Sequence, residues 1–207
     1  MVGGLDELRA ELMRRFVPFV VAIVVACSDG EATTTSVSPA SQRVDSMVRP
    51  EVAMTRFVEG LPVATTLAGG ATDADRLVER LLNAVSIRDS TALRQMLITR
   101  AEYGFLFYPT SIYSRKPYGL PPDVAWMLSS ETSEKGARRM ISRFGGKRMT
   151  LESYNCLKGE QQGDNNIRSR CAVRWSDESG ARHTGALFRS LIIRDGHAKF
   201  LSFAGDY

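Results

Sequence analysis

The spacing of apolar residues changes once along this chain, near Gly146, and divides a helical half from a strand half. In the first half, residues 50–61 carry Met54, Phe57, Val58 and Leu61 at helical intervals with Pro62 behind, which predicts a short amphipathic helix. Leu77, Val78, Leu81, Leu82 and Val85 form the next apolar stripe, with Thr72 as expected N-cap and Asp75 three residues on. Asp89 or Ser90 caps a second short helix that turns Leu93, Met96 and Leu97 inward. Residues 103–108 read as an aromatic strand stopped by Pro109, and prolines fill an irregular loop to residue 122. A helix pair follows. Its first member holds Trp126, Met127 and Leu128, a break falls at 129–132, and residues 133–144 turn Met140, Ile141 and Phe144 inward before Gly145-Gly146.

Beyond Gly146 the period is two. Residues 149–157 form a first strand, and 158–166 read as a polar loop. Ile167, Ser169, Cys171, Val173 and Trp175 then alternate with Arg168, Arg170, Ala172 and Arg174, which predicts one half-buried strand. Residues 177–180 are a turn, 181–194 a longer strand, and Asp195-Gly196 a hairpin turn into 198–204. Helices followed by a four-stranded meander give an α+β fold class, with N-terminal helices packed on a curved antiparallel sheet.

The N-terminus has a different character. Met13-Arg14-Arg15 precedes an apolar run at 16–25, which is well short of a bilayer span, and Val24-Val25-Ala26-Cys27 follows. This resembles the lipobox of bacterial lipoproteins, and the resemblance implies that Cys27 is lipidated and becomes the mature N-terminus. More than one acyl chain is what stable anchoring requires. Residues 1–12 hold Asp6, Glu7 and Glu11 against Arg9 alone, so Met13 is the expected start. Residues 28–48 are rich in Ser, Thr and Ala and read as a flexible tether. The expected organisation is a signal peptide at 1–26, lipidated cysteine, tether and docking helix at 27–71, and an α+β domain at 72–207.

At 207 residues the chain suits one domain with a sizeable core. Its net charge of +4 is spread out, and no Lys/Arg cluster suggests nucleic acid as a partner. With Cys27 assigned to lipid, Cys156 and Cys171 remain as an even pair in an oxidising compartment. Paired strands would bring them opposite each other, and a bridge there would contribute on the order of 3 kcal/mol. A redox or metal role lacks a CxxC spacing and nearby histidines.

The element order over 72–207 resembles the cone-shaped nuclear-transport-factor-like fold shared by ketosteroid isomerase and polyketide-cyclase-like proteins. The proline-rich loop, Trp126 and Ser133-Glu134-Lys135-Gly136 resemble exported bacterial lipoproteins of unassigned function. A cone implies a pocket, with Tyr103, Phe105, Tyr108, Tyr113, Trp126, Tyr154 and Trp175 as candidate lining and core packing as the plainer role for each. The family likeness also implies an enzyme alternative of isomerase, cyclase or dehydratase type. Glu152 and Tyr154, two apart on one strand, would supply its carboxylate and tyrosine. His183 and His197 fall near turns and read as surface imidazoles, and Asp123 reads as a helix-start residue.

No HExxH, GxSxG or P-loop occurs, and neither metal nor cofactor is expected. Arg168, Arg170 and Arg174 read as a solvated strand face, with an acidic partner or lipid headgroups as the alternative. Expected partners are a membrane through the lipid anchor, a small apolar ligand or an envelope protein, and a second copy of the chain. The expected location is the extracytoplasmic side of the cell envelope. Ser28-Asp29 resembles known lipoprotein sorting patterns, and that resemblance implies an outer-membrane destination in a two-membrane host.

Overall fold

A computed structural model describes residues 48–203. The expected export segment with Met13, the expected lipidation site Cys27 and the expected tether as far as residue 47 lie outside the described residues.

Helix α1 (Pro50–Val58) opens on a proline at its first position and buries Phe57. It docks where Gly104 leaves room, since a Cβ there would stand 2.8 Å from Val58 and 3.0 Å from the Phe57 ring. Helix α2 (Ala74–Ser86) buries the whole predicted stripe. Its cap is Asp73 rather than Thr72. The Asp73 carboxylate accepts from the Arg76 N–H at 2.7 Å and places negative charge at the positive helix end. Helix α3 (Ser90–Gln95) is capped by Asp89, which accepts from the Ala92 N–H at 2.8 Å.

Residues 103–108 are helical, not a strand. Thr99 and Glu102 form a reciprocal capping box that starts α4 (Arg100–Glu102). The chain continues through a π-helical turn, Tyr103–Phe107, and two 3-10 turns, Tyr108–Thr110 and Ile112–Ser114. The expected helix pair is likewise one helix, α5 (Pro122–Phe144). Its polar middle is helical, and there the Ser130, Thr132 and Ser133 hydroxyls donate back to the carbonyls of Met127, Leu128 and Ser129. Gly146, at φ +85°, then donates its N–H to Ser86 at 2.9 Å and ties the ends of α5 and α2 together.

Strands β1 (Thr150–Gln162) and β2 (Asn165–Ser176) pair along their whole length, so the expected 158–166 loop shrinks to Gly163-Asp164. Gly163, at φ +60°, supplies the left-handed first position of this two-residue turn. The Thr110 hydroxyl donates to the Gln162 carbonyl at 3.1 Å and the Asn165 amide to the Leu106 carbonyl at 2.7 Å. These bonds anchor the polar hairpin end. The expected strand at 181–194 is two segments, β3 (Arg182–Gly185) and β4 (Phe188–Arg194), both paired to β2. Their register slips by one residue between Val173 opposite Gly185 and Ser169 opposite Ser190. Asp195 (φ 49°) and Gly196 (φ 76°) form the predicted tight turn into β5 (His197–Phe203).

The fold is α+β, with a curved antiparallel sheet in the order β1-β2-β4-β5 and β3 extending beside β2. Backbone bonds from Ala71 and Ile98 cover the outer edge of β5. Two apolar clusters flank the sheet. One packs α2 and α3 on Leu191 and Phe200, and the other packs Phe57, Tyr103 and Phe107 with Ile192 and Leu201. Neighbours on one strand thus point to opposite sides, as the pleat requires. The alternation expected along β2 does not hold throughout. Ile167 joins the second cluster, whereas Cys171, Val173 and Trp175 join the first. The change falls at Arg170, whose left-handed φ of +55° turns the strand where the neighbouring register slips.

Candidate functional site

Beside the second cluster lies a cavity of about 350 Å³. One wall is apolar: Tyr103 and Phe107 from the π-helical turn, Ile112, Tyr113 and Leu120 from the proline-rich loop, and Leu128 from α5. The other wall is the sheet. There the strand register aligns Lys158 with Ser169, Ser169 with Ser190, and Ser190 with Ser202, a row crossing all four strands. All four residues line the cavity. Strands about 4.8 Å apart make this row roughly 14 Å long. Leu128 and Lys158 are exposed lining residues, as are Tyr113 and Arg189.

The polar groups here are unevenly paired. Lys158 meets Glu160 at 3.1 Å, and its ammonium, chiefly by hydrogen bonding, holds the Glu160 carboxyl below its ordinary range. Gln162 is only 6% exposed, yet its side-chain Oε1 has no hydrogen-bond partner. The hydroxyls of Ser169, Ser190 and Ser202 make no hydrogen bond among the described residues. Ser129 differs, since its hydroxyl donates to the Leu201 carbonyl at 3.2 Å. Burial pushes the Tyr103 phenol up, so it stays a neutral donor across the usual pH range.

The residues expected from sequence are spread over several places. Tyr103 and Tyr113 line the cavity. Trp126 packs behind Tyr103 with ring centroids 5.2 Å apart, and Phe105 packs against the same cluster. Tyr108 is buried and donates to the Leu120 carbonyl at 2.6 Å, which pins the proline-rich loop. Trp175 sits in the first cluster between Phe144 and the stacked His183 ring. His183 in turn meets Asp177 at 2.8 Å on an exposed turn, and His197 is exposed at the start of β5.

Glu152 and Tyr154 do not share a site. The register shifts between Leu151 and Ser153, and this bulge removes the regular alternation that would have aligned them. Glu152 pairs with Arg182 at 3.2 Å, while the Tyr154 hydroxyl donates to Asp75 at 2.8 Å in a separate shallow recess beside Arg168. Burial first, then the Asp75 carboxylate, pushes the Tyr154 phenol up to about 12. Cys156 and Cys171 are bonded as a cross-strand pair, with Cα atoms 4.0 Å apart.

One cluster had no counterpart in the sequence reading. Lys199, 1% exposed, bonds both Glu102 oxygens, at 2.8 and 3.1 Å, and the Ala68 carbonyl at 2.7 Å. Glu102, 3% exposed, also accepts from the N–H groups of Ala68 and Thr99. The capping-box spacing of Thr99 and Glu102 was the available signal for this acid; nothing local marked Lys199. Among the described residues no group of three His, Cys, Asp or Glu side chains comes together to hold a metal, and no helix is long and apolar enough to cross a membrane. No family model matches the chain, and no curated protein or solved structure matches it either.

Proposed function

We propose that this chain is an exported, lipid-anchored module of the cell envelope that binds a small molecule in the cavity beside β1, β2, β4 and β5. The observation that carries the reading is a concave apolar wall facing polar groups with unmet hydrogen-bonding capacity. Binding sites commonly combine those two features. Polar groups that served only the fold would be paired within it. The anchor rests on the Met13-to-Cys27 pattern, and the oxidising setting it implies suits the Cys156–Cys171 bridge. A cone-like reading of the fold rests on the way the sheet curves beside α5.

A catalytic reading finds its acid and phenol in Glu160 and Tyr103, since both line the cavity. Glu160 is poorly tuned for it. A carboxyl held low by Lys158 is a weak base at neutral pH. Binding is therefore the better-supported function.

The test is the mass of the full chain extracted from its host membrane. The proposal expects a denatured mass beginning at Cys27 with added acyl chains, and a native mass that exceeds it by a retained small molecule. An unacylated chain beginning upstream of Cys27 would remove the anchor. Equal native and denatured masses, with no uptake of added apolar or polar probes, would remove the binding function.

A further inference from the structure

The two edges of the sheet differ. Backbone bonds from Ala71 and Ile98 close the outer side of β5, whereas among the described residues no backbone hydrogen bond reaches the outer side of β1. At 13 residues β1 is the longest strand described, and an open edge of that length is a template for another strand. Natural edges are commonly blunted by lone charges. Here the charges come instead as an opposite pair about a glycine, Lys158-Gly159-Glu160, with Lys158 and Glu160 3.1 Å apart. Leu157 beside them is 79% exposed, more than any other large apolar residue described. A Cβ at Gly159 would meet nothing within 4 Å.

We infer that β1 pairs antiparallel with the β1 of a second copy of this chain, about a two-fold axis at Gly159. An axis normal to the sheet sets one residue opposite its own copy and reverses the order on either side. Centred on Gly159, it sets Lys158 opposite the partner's Glu160 and Glu160 opposite the partner's Lys158. Centred on Lys158 or on Glu160 it would set like charges against each other, and centred on Leu157 it would give neither charge an opposite. Directly opposed unlike charges stabilise a strand pair and like charges destabilise it, so the charge pattern selects the Gly159 register. Each Leu157 then lies diagonal to the partner's Gly159 and covers the space left without a side chain. The pairing runs from Cys156 to Gln162, clear of the bulge between Leu151 and Ser153. It does not depend on what the cavity holds.

The experiment measures the mass of the full chain in detergent by sedimentation equilibrium over a range of protein concentrations. The inference expects a dimer of the wild type. Glu160→Lys and Lys158→Glu should each weaken it at least about tenfold, because two attractive pairs become repulsive. Mixing the two variants should restore the dimer, since each charge then faces its opposite across the axis. Combining both substitutions in one chain should restore it for the same reason. Circular dichroism confirms that each variant is folded. A wild type that is monomeric at every concentration would overturn the inference. So would a dimer that neither single substitution weakens, which would place the contact elsewhere. A weakened dimer that mixing does not restore would also overturn it, since the charges would then act within one chain.

Discussion

Two polar regions lie close to the same sheet and behave oppositely. Around Glu102 and Lys199, each of the three ammonium protons and both carboxylate oxygens has a partner, and neither residue reaches solvent. Along Ser169, Ser190 and Ser202, residues that line a cavity carry hydroxyls with capacity unused. The first arrangement fastens three segments to one another: the connector at Ala68, the start of α4 at Thr99, and β5. The second fastens nothing within the fold. A satisfied buried network locks a structure, whereas an unsatisfied wall of a cavity leaves interactions for something else to complete.

Substitutions separate the two regions by size of effect. The largest is expected at the locked cluster. Lys199→Met leaves the Glu102 carboxylate buried without its cation and should cost about 3–5 kcal/mol, read as a lower urea midpoint. Glu102→Gln with Lys199→Met should recover part of that loss, because no bare charge then remains. Replacing both Cys156 and Cys171 with serine comes next. The closed loop suggests a loss of roughly 3 kcal/mol, with the fold's α+β signature retained below the new midpoint.

The cavity wall should respond in the other direction. Gln162→Leu removes an unpaired buried carbonyl and should leave stability within about 1 kcal/mol of wild type, or raise it. A loss as large as that of Lys199→Met would show Gln162 to be structural and collapse the contrast.

Tyr154 gives a smaller effect with a defined pH sign. Its phenol is raised from 10.0 to about 12, so the fold favours the neutral form. The associated stability is fully present below pH 10 and is lost as pH rises through about 12. Melting temperatures of wild type and Tyr154→Phe should therefore converge at the alkaline end. The smallest effect is at Asp177. Hydrogen bonds from the Ser179 hydroxyl and then His183 hold its carboxyl well below the usual range. That depression stabilises the turn above the ordinary carboxylate pKa and fades as acid protonates it. The Ala181 amide, which donates to Asp177, should report this by a chemical-shift change confined to low pH.

The parts of this molecule that were legible in sequence are those whose cause is local. Asp195-Gly196 meets the backbone demand of a tight hairpin, and the α2 stripe repeats at helical spacing. The cysteine pair followed from two paired strands. Local signals also misled where two competed. The aromatics at 103–108 favour strand, but the Thr99–Glu102 capping box had already started a helix upstream. Ser130, Thr132 and Ser133 read as a break, yet each hydroxyl bonds back to its own helix.

The cavity wall was beyond local reading altogether. Its serines lie on three strands and become neighbours only through register, and that register depends on a one-residue slip and on the left-handed backbone at Arg170. The same dependence misaligned Glu152 and Tyr154, because a single bulge undoes an i, i+2 relation.

The most direct test of the account compares the native and denatured masses of the chain from its host membrane with those of Ala125→Phe, which fills the cavity from α5. The account predicts a retained small molecule on the wild type and its absence from the folded variant. Retention on both, or on neither with no uptake of added ligands, would contradict it.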